Sequence, residues 1–120
     1  MKKSVKILGT LYKLNLNIPY TKDPSLMGRF GYCDMAEKKI VVADIKTVPG
    51  WEEATEVGVE HAFNDTLRQE VIHAYLIESG LNGSANEVDC WARNEEMVDW
   101  IAIQFPKILK TFEELDCVGR

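Results

Sequence analysis

Thr66-Leu67-Arg68-Gln69-Glu70-Val71-Ile72-His73-Ala74-Tyr75-Leu76-Ile77 decides how the rest of the chain is read. At about 100° per residue, His73 falls about 40° from Gln69 and one turn further on, so the two share a face. Glu70 stands beside that pair rather than behind it. Ala62, Thr66, Ile72, Leu76 and Ile77 occupy the same sector, whereas Glu60, Asn64 and Glu78 lie opposite. From Val71 to Ile77 the helix is apolar almost all round, the mark of a buried element. Gln69 and His73 are therefore expected to point inward, and buried polar groups need partners.

A second stretch supplies them. Residues 87–104 read as another helix, ended by Pro106, with a short last helix over 107–115. With Glu95 as origin, Val88, Trp91, Ala92, Val98, Ala102, Ile103 and Phe105 fall within about 80°, and Asp99 within about 40°. Glu95 is then at the centre of an apolar stripe, and Glu96 at its margin. An inward Gln69/His73 pair facing an inward Glu95/Asp99 pair is a coherent polar site.

Outward from these helices the chain changes character. Residues 5–18 alternate as a half-buried strand, interrupted at Gly9 as by a bulge or bend. Val5, Ile7 and Leu11 take one side, and Leu14, Leu16 and Ile18 the other parity. A loop over 19–27 precedes two short β runs, 30–34 and 40–43, set around a polar break as in a hairpin. Lys38 and Lys39 fall in that break and read as solvated. The first helix is expected over 51–79, weak at Thr55 to Gly58 and stopped by Gly80, with a loop over 81–86. Strands followed by helices make one α+β domain over 1–120, mainly β to residue 50 and mainly α beyond it.

Composition narrows the function. A net charge of -5, with few and scattered basic residues, argues against nucleic acid, whose binders carry a basic stripe. Three cysteines, Cys33, Cys90 and Cys117, make an odd set without paired spacing, which favours reduced thiols in the cytosol. Met1-Lys2-Lys3 is followed by no long apolar run, so no signal peptide is expected, and no stretch reaches membrane-span length.

Two ligands at i and i+4 on a helix, with a glutamate beside the first, form the zinc template H-E-x-x-H. Gln69-Glu70-Val71-Ile72-His73 is one residue short of it. Glu95 would be the third ligand. Asp99 would hold a metal-bound side chain in orientation through its other nitrogen. The 66–81 stretch resembles the active-site helix of the small phage and prophage zinc-metallopeptidase-like proteins. Asn94-Glu95-Glu96-Met97-Val98-Asp99 is similar to the N-E-x-x-x-D of gluzincins such as thermolysin, in which the glutamate binds zinc and the aspartate supports a ligand histidine. Gly31-Tyr32-Cys33-Asp34 and Lys39-Ile40-Val41-Val42 resemble the family's edge hairpin.

The resemblance implies a minimal zincin: a small antiparallel sheet, an active-site helix and two further helices. It implies metal-assisted hydrolysis of a protein or peptide in the host cytosol, with Glu70 taking the proton from zinc-bound water. The strand near Ile40 to Ala43 would align an extended peptide. The departure is Gln69, where the family has histidine. An amide oxygen is a poor zinc ligand, so zinc is expected to be weak or absent and activity low or lost. Gln69 could instead donate to Asp99, and His61, two turns earlier, is a remote substitute ligand. The competing class is a non-catalytic protein that binds a host regulatory or defence protein.

Overall fold

A computed structural model describes residues 3–82 and 90–119. It is α+β: a four-stranded mixed sheet with two helices. β1 (Ser4–Ile7) and β2 (Thr10–Ile18) are joined at Leu8 and Gly9, with φ of 48° and 88°. Two consecutive positive φ values make the tight hairpin turn that matches strand twist, so the expected single strand folds back on itself. The turn resets the side-chain parity. Tyr12, Leu14 and Leu16 join Val5 and Ile7 on the inner face, and Leu11 is exposed.

β3 (Gly31–Asp34) and β4 (Lys39–Ala43) form the second hairpin, but the strand order is β1-β2-β4-β3. β4 therefore runs parallel to β2, and the sheet is not the antiparallel one expected. The cause is the connection over residues 19–30. Its two 3-10 turns carry the chain past β2's neighbour position to the far edge before the hairpin returns. β4 is the central strand, which accounts for the unbroken apolar run Ile40-Val41-Val42-Ala43. Ile40 and Val42 face the helix, while Val41 and Ala43 face Leu26, Val48 and Trp51 in the loops beneath. Each fully buried residue of this size contributes about 1.5–3 kcal/mol.

α1 (Glu56–Glu78) starts later than expected because Thr55 caps it, accepting a hydrogen bond from the Gly58 amide at 3.1 Å. Gly80, at φ 86°, closes its end as expected. Phe63, Leu67, Val71 and Ala74 form the stripe laid on the sheet. At the other end of the helix, Glu78 is locked to two hairpins. It accepts from Thr10 Oγ1 at 2.8 Å, Tyr12 Oη at 2.6 Å and Lys38 Nζ at 2.8 Å. Lys38 is thus a tie between sheet and helix, not merely a solvated turn residue.

The second helical region differs from its reading. Residues 87–89 lie outside the described ones, and Trp91–Arg93 is a single 3-10 turn. α2 (Glu95–Glu114) begins at Asn94, whose side chain accepts from the Met97 amide at 2.9 Å. α2 then runs through Pro106 instead of stopping there. Proline cannot donate to the carbonyl four residues back, here that of Ala102. Arg68 Nε donates to that carbonyl at 2.8 Å, satisfying it from α1. One long helix replaces the two expected, so the fold has one fewer helix.

Candidate functional site

Glycine at position 31 brings the edge of the sheet against α1. A Cβ there would stand 2.6 Å from the Val41 carbonyl oxygen and 2.8 Å from Thr66 Cγ2, so no other residue allows this approach. Between β3, α1 and the start of α2 lies a groove of about 740 Å³. Glu70, His73, Gln69 and Glu95 line it, with Arg29, Tyr32 and Asp65. His61 stands on its wall, exposed.

His73 is 9% exposed and held at both nitrogens. Nδ1 lies 2.7 Å from the Ala92 carbonyl oxygen, which can only accept, so Nδ1 carries a hydrogen. Nε2 then faces Glu95 Oε1 at 3.2 Å. Two acceptors do not approach this closely without a proton or another cation between them. The Ala92 carbonyl thus orients the His73 ring.

Glu70 is 8% exposed and makes no hydrogen bond among the described residues. Burial pushes its carboxyl up to about 7, with Glu95 and Asp99 adding to the rise and His73 opposing it. A carboxyl titrating there is suited to taking and returning a proton near neutrality. Asp99 is also raised, first by desolvation and then by Glu95 and Asp65.

Of the expected site residues, Gln69, Glu70, His73 and Glu95 meet on the groove, and Asp99 is not among the residues lining it. Gln69 Nε2 donates to Asp65 Oδ2 at 3.0 Å, one turn back on the same helix, and not to Asp99. Asp65 had no place in the sequence reading, although its i, i+4 spacing from Gln69 is the signal that finds it. Its Oδ1 is buried without a hydrogen bond among the described residues, with Arg68 Nη2 3.5 Å away. Glu95 is not sunk in an apolar stripe, since its side chain is 72% exposed. As the first residue of α2 it leans over the groove from the rim. Trp91, assigned to the core, is 60% exposed for the same reason: the helical phase that placed it inward does not extend back to residue 91. Arg29 was missed as well. It lies over the Tyr32 ring at 4.9 Å and draws the Glu70 carboxyl downward.

The edge strand beside the site is β3, not the strand near Ile40 to Ala43, which is paired on both sides. The Ala43 amide donates to the Phe30 carbonyl at 2.7 Å, so by antiparallel alternation Tyr32 and Asp34 also pair with β4. Gly31 and Cys33 then turn their main-chain groups to the open edge.

Zinc can be tested on this geometry. Ligand atoms about 2.0–2.2 Å from a tetrahedral zinc lie about 3.3–3.5 Å apart, close to the His73–Glu95 separation. Those two groups fit. Gln69 does not: zinc in proteins is held by Cys, His and carboxylate, the Gln69 amide N–H goes to Asp65, and no group of three His, Cys, Asp or Glu side chains able to hold a metal occurs among the described residues. The described residues do not complete a three-ligand zinc centre.

No family model, curated protein or solved structure matches the chain.

Proposed function

We propose that this chain is a zinc-metallopeptidase-like protein of the phage type in a disabled form, which binds an extended protein segment and does not hydrolyse it. The observation that carries the reading is the engagement of Gln69 by Asp65 beside an otherwise assembled site. A buried Glu70 and a His73–Glu95 pair at ligand spacing are the parts of a hydrolytic centre. With glutamine at position 69 the third ligand is lost, and no hydrolytic step is assigned.

What remains is a groove with one open strand. An extended peptide pairs with the Gly31 and Cys33 main chain, as strands add to a sheet edge. Its side chains then lie against Arg29 and Tyr32 on one side and α1 on the other. The partner is a protein of the host cytosol. Three unpaired cysteines suit that reducing compartment. No helix among the described residues is long and apolar enough to cross a membrane.

The test is amide hydrogen exchange with a mixture of random-sequence peptides of about ten residues, long enough to lie along one strand. Added protection confined to Gly31 and Cys33 is the expected result. Unchanged exchange at both amides, at peptide concentrations that saturate binding elsewhere, would remove the groove from the account.

A further inference from the structure

Glu70 has no part in a groove that only pairs strand with strand. Its side chain lines the groove, is 8% exposed and meets no hydrogen-bond donor among the described residues. Its polar neighbours on α1 are engaged. His73 is held at both nitrogens, and Gln69 donates to Asp65, whose other oxygen has Arg68 Nη2 at 3.5 Å. The arginines lining the groove stay at its rim. Arg29 and Arg93 are exposed, and Arg29 Nε donates to the Ser25 carbonyl at 2.8 Å. Burial pushes the Glu70 carboxyl up to about 7, and the pull of His73 and Arg29 does not bring it back. An ionised carboxylate at such depth calls for a cation, delivered by whatever enters the groove.

The open edge of β3 fixes where that cation comes from. Gly31 and Cys33 share the face of β3 that meets α1. A Cβ at Gly31 would stand 2.8 Å from Thr66 Cγ2, and Cys33 packs with Ile40 and Val42 beneath the helix. Glu70 lies one turn beyond Thr66 on the same side of α1. Burial and then Glu70 push the Cys33 thiol up to about 12, which puts the two side chains close together. Paired residues of adjacent strands set their side chains on one face. A peptide residue opposite Cys33 therefore turns its side chain towards Glu70, and Glu95 lines the same space from the start of α2. A long apolar stem with a cationic head fits there: the stem runs along the wall while the head reaches the two carboxylates.

We propose that the extended segment bound in the groove carries a lysine or arginine opposite Cys33, whose cationic head pairs with Glu70 and Glu95. This rests on the strand-addition reading of the groove and adds a specificity to it. Main-chain pairing accepts any sequence, whereas an apolar or acidic residue at that one place leaves Glu70 unmet.

Three fluorescein-labelled peptide mixtures test this. Each is about ten residues long, blocked at its ends, and random among uncharged residues except at one central position fixed as lysine, arginine or norleucine. Norleucine keeps an apolar stem and lacks the charge. In fluorescence anisotropy at low salt, the two basic mixtures are expected to bind about tenfold tighter than the norleucine mixture. Glu70→Gln is expected to abolish that preference while all three mixtures still protect the Gly31 and Cys33 amides from exchange. Glu95→Gln, at an exposed position, is expected to reduce it. Basic mixtures that bind no better than norleucine overturn the proposal, and if Gly31 and Cys33 are still protected the strand reading stands without it. A preference that persists undiminished in both variants also overturns it. A preference that depends on Glu70 without protection at Gly31 and Cys33 overturns the strand reading, and with it the placement opposite Cys33.

Discussion

Two glutamates on α1, eight residues apart, live in opposite surroundings. Glu78 is ringed by Thr10, Tyr12 and Lys38, and these donors hold its carboxyl down at about 2. Glu70 is buried with no hydrogen-bond donor among the described residues, and desolvation pushes it up to about 7. The first is a fastening: its charge is met by hydrogen bonds to the two hairpins that it joins to the helix. The second is a burden to the fold, because a buried carboxylate without partners is disfavoured. A fold that keeps such a group beside a half-buried glutamine and a doubly held histidine is organised around the groove, not around stability.

Breaking the groove side at its root has the largest effect. Gly31→Val drives a Cβ into the Val41 carbonyl and Thr66, and is expected to cost about 3 kcal/mol or more in urea unfolding. Breaking the fastening comes next, and its signature is pH. The Glu78 carboxyl is lowered from 4.5 to about 2, so its stabilisation is present above pH 4.5 and disappears as pH falls towards 2. Glu78→Gln is expected to lower the Tm at pH 7 and to flatten the Tm profile in that acid window.

Relieving the burden works in the opposite direction. The Glu70 carboxyl is raised from 4.5 to about 7, so it favours the folded state below pH 4.5, and that advantage is lost as pH rises through 7. Glu70→Gln is expected to gain about 1–3 kcal/mol at pH 8 and nothing at pH 4, as urea unfolding at the two values would record. The smallest effect of the set is Arg68→Met, which leaves the Ala102 carbonyl that Pro106 cannot satisfy. A loss of about 1 kcal/mol in thermal unfolding is expected.

The α+β class was legible because period-two runs precede period-3.6 runs. The burial of His73 was legible because the apolar run around it marks an inward-facing stretch of helix. What escaped depended on groups without a sequence signature. The parallel β2–β4 pairing follows from how far an irregular loop carries the chain. The passage of α2 through Pro106 depends on an arginine 38 positions earlier in the chain donating across to α1's neighbour. The orientation of His73 comes from a main-chain carbonyl at Ala92, which any residue offers. The wheel failed at Trp91 for a plain reason. It assumed an unbroken helix from residue 87, whereas regular α-helix begins at Glu95.

The proposed reading is that Gln69 breaks a zinc site of which His73 and Glu95 remain at ligand spacing. Its most direct test is the zinc content of the purified protein beside that of Gln69→His, by elemental analysis after equilibration with zinc and gel filtration. The account predicts little zinc in the unaltered chain and close to one equivalent in the variant. One tightly held equivalent in the unaltered chain, or none in either, would contradict it.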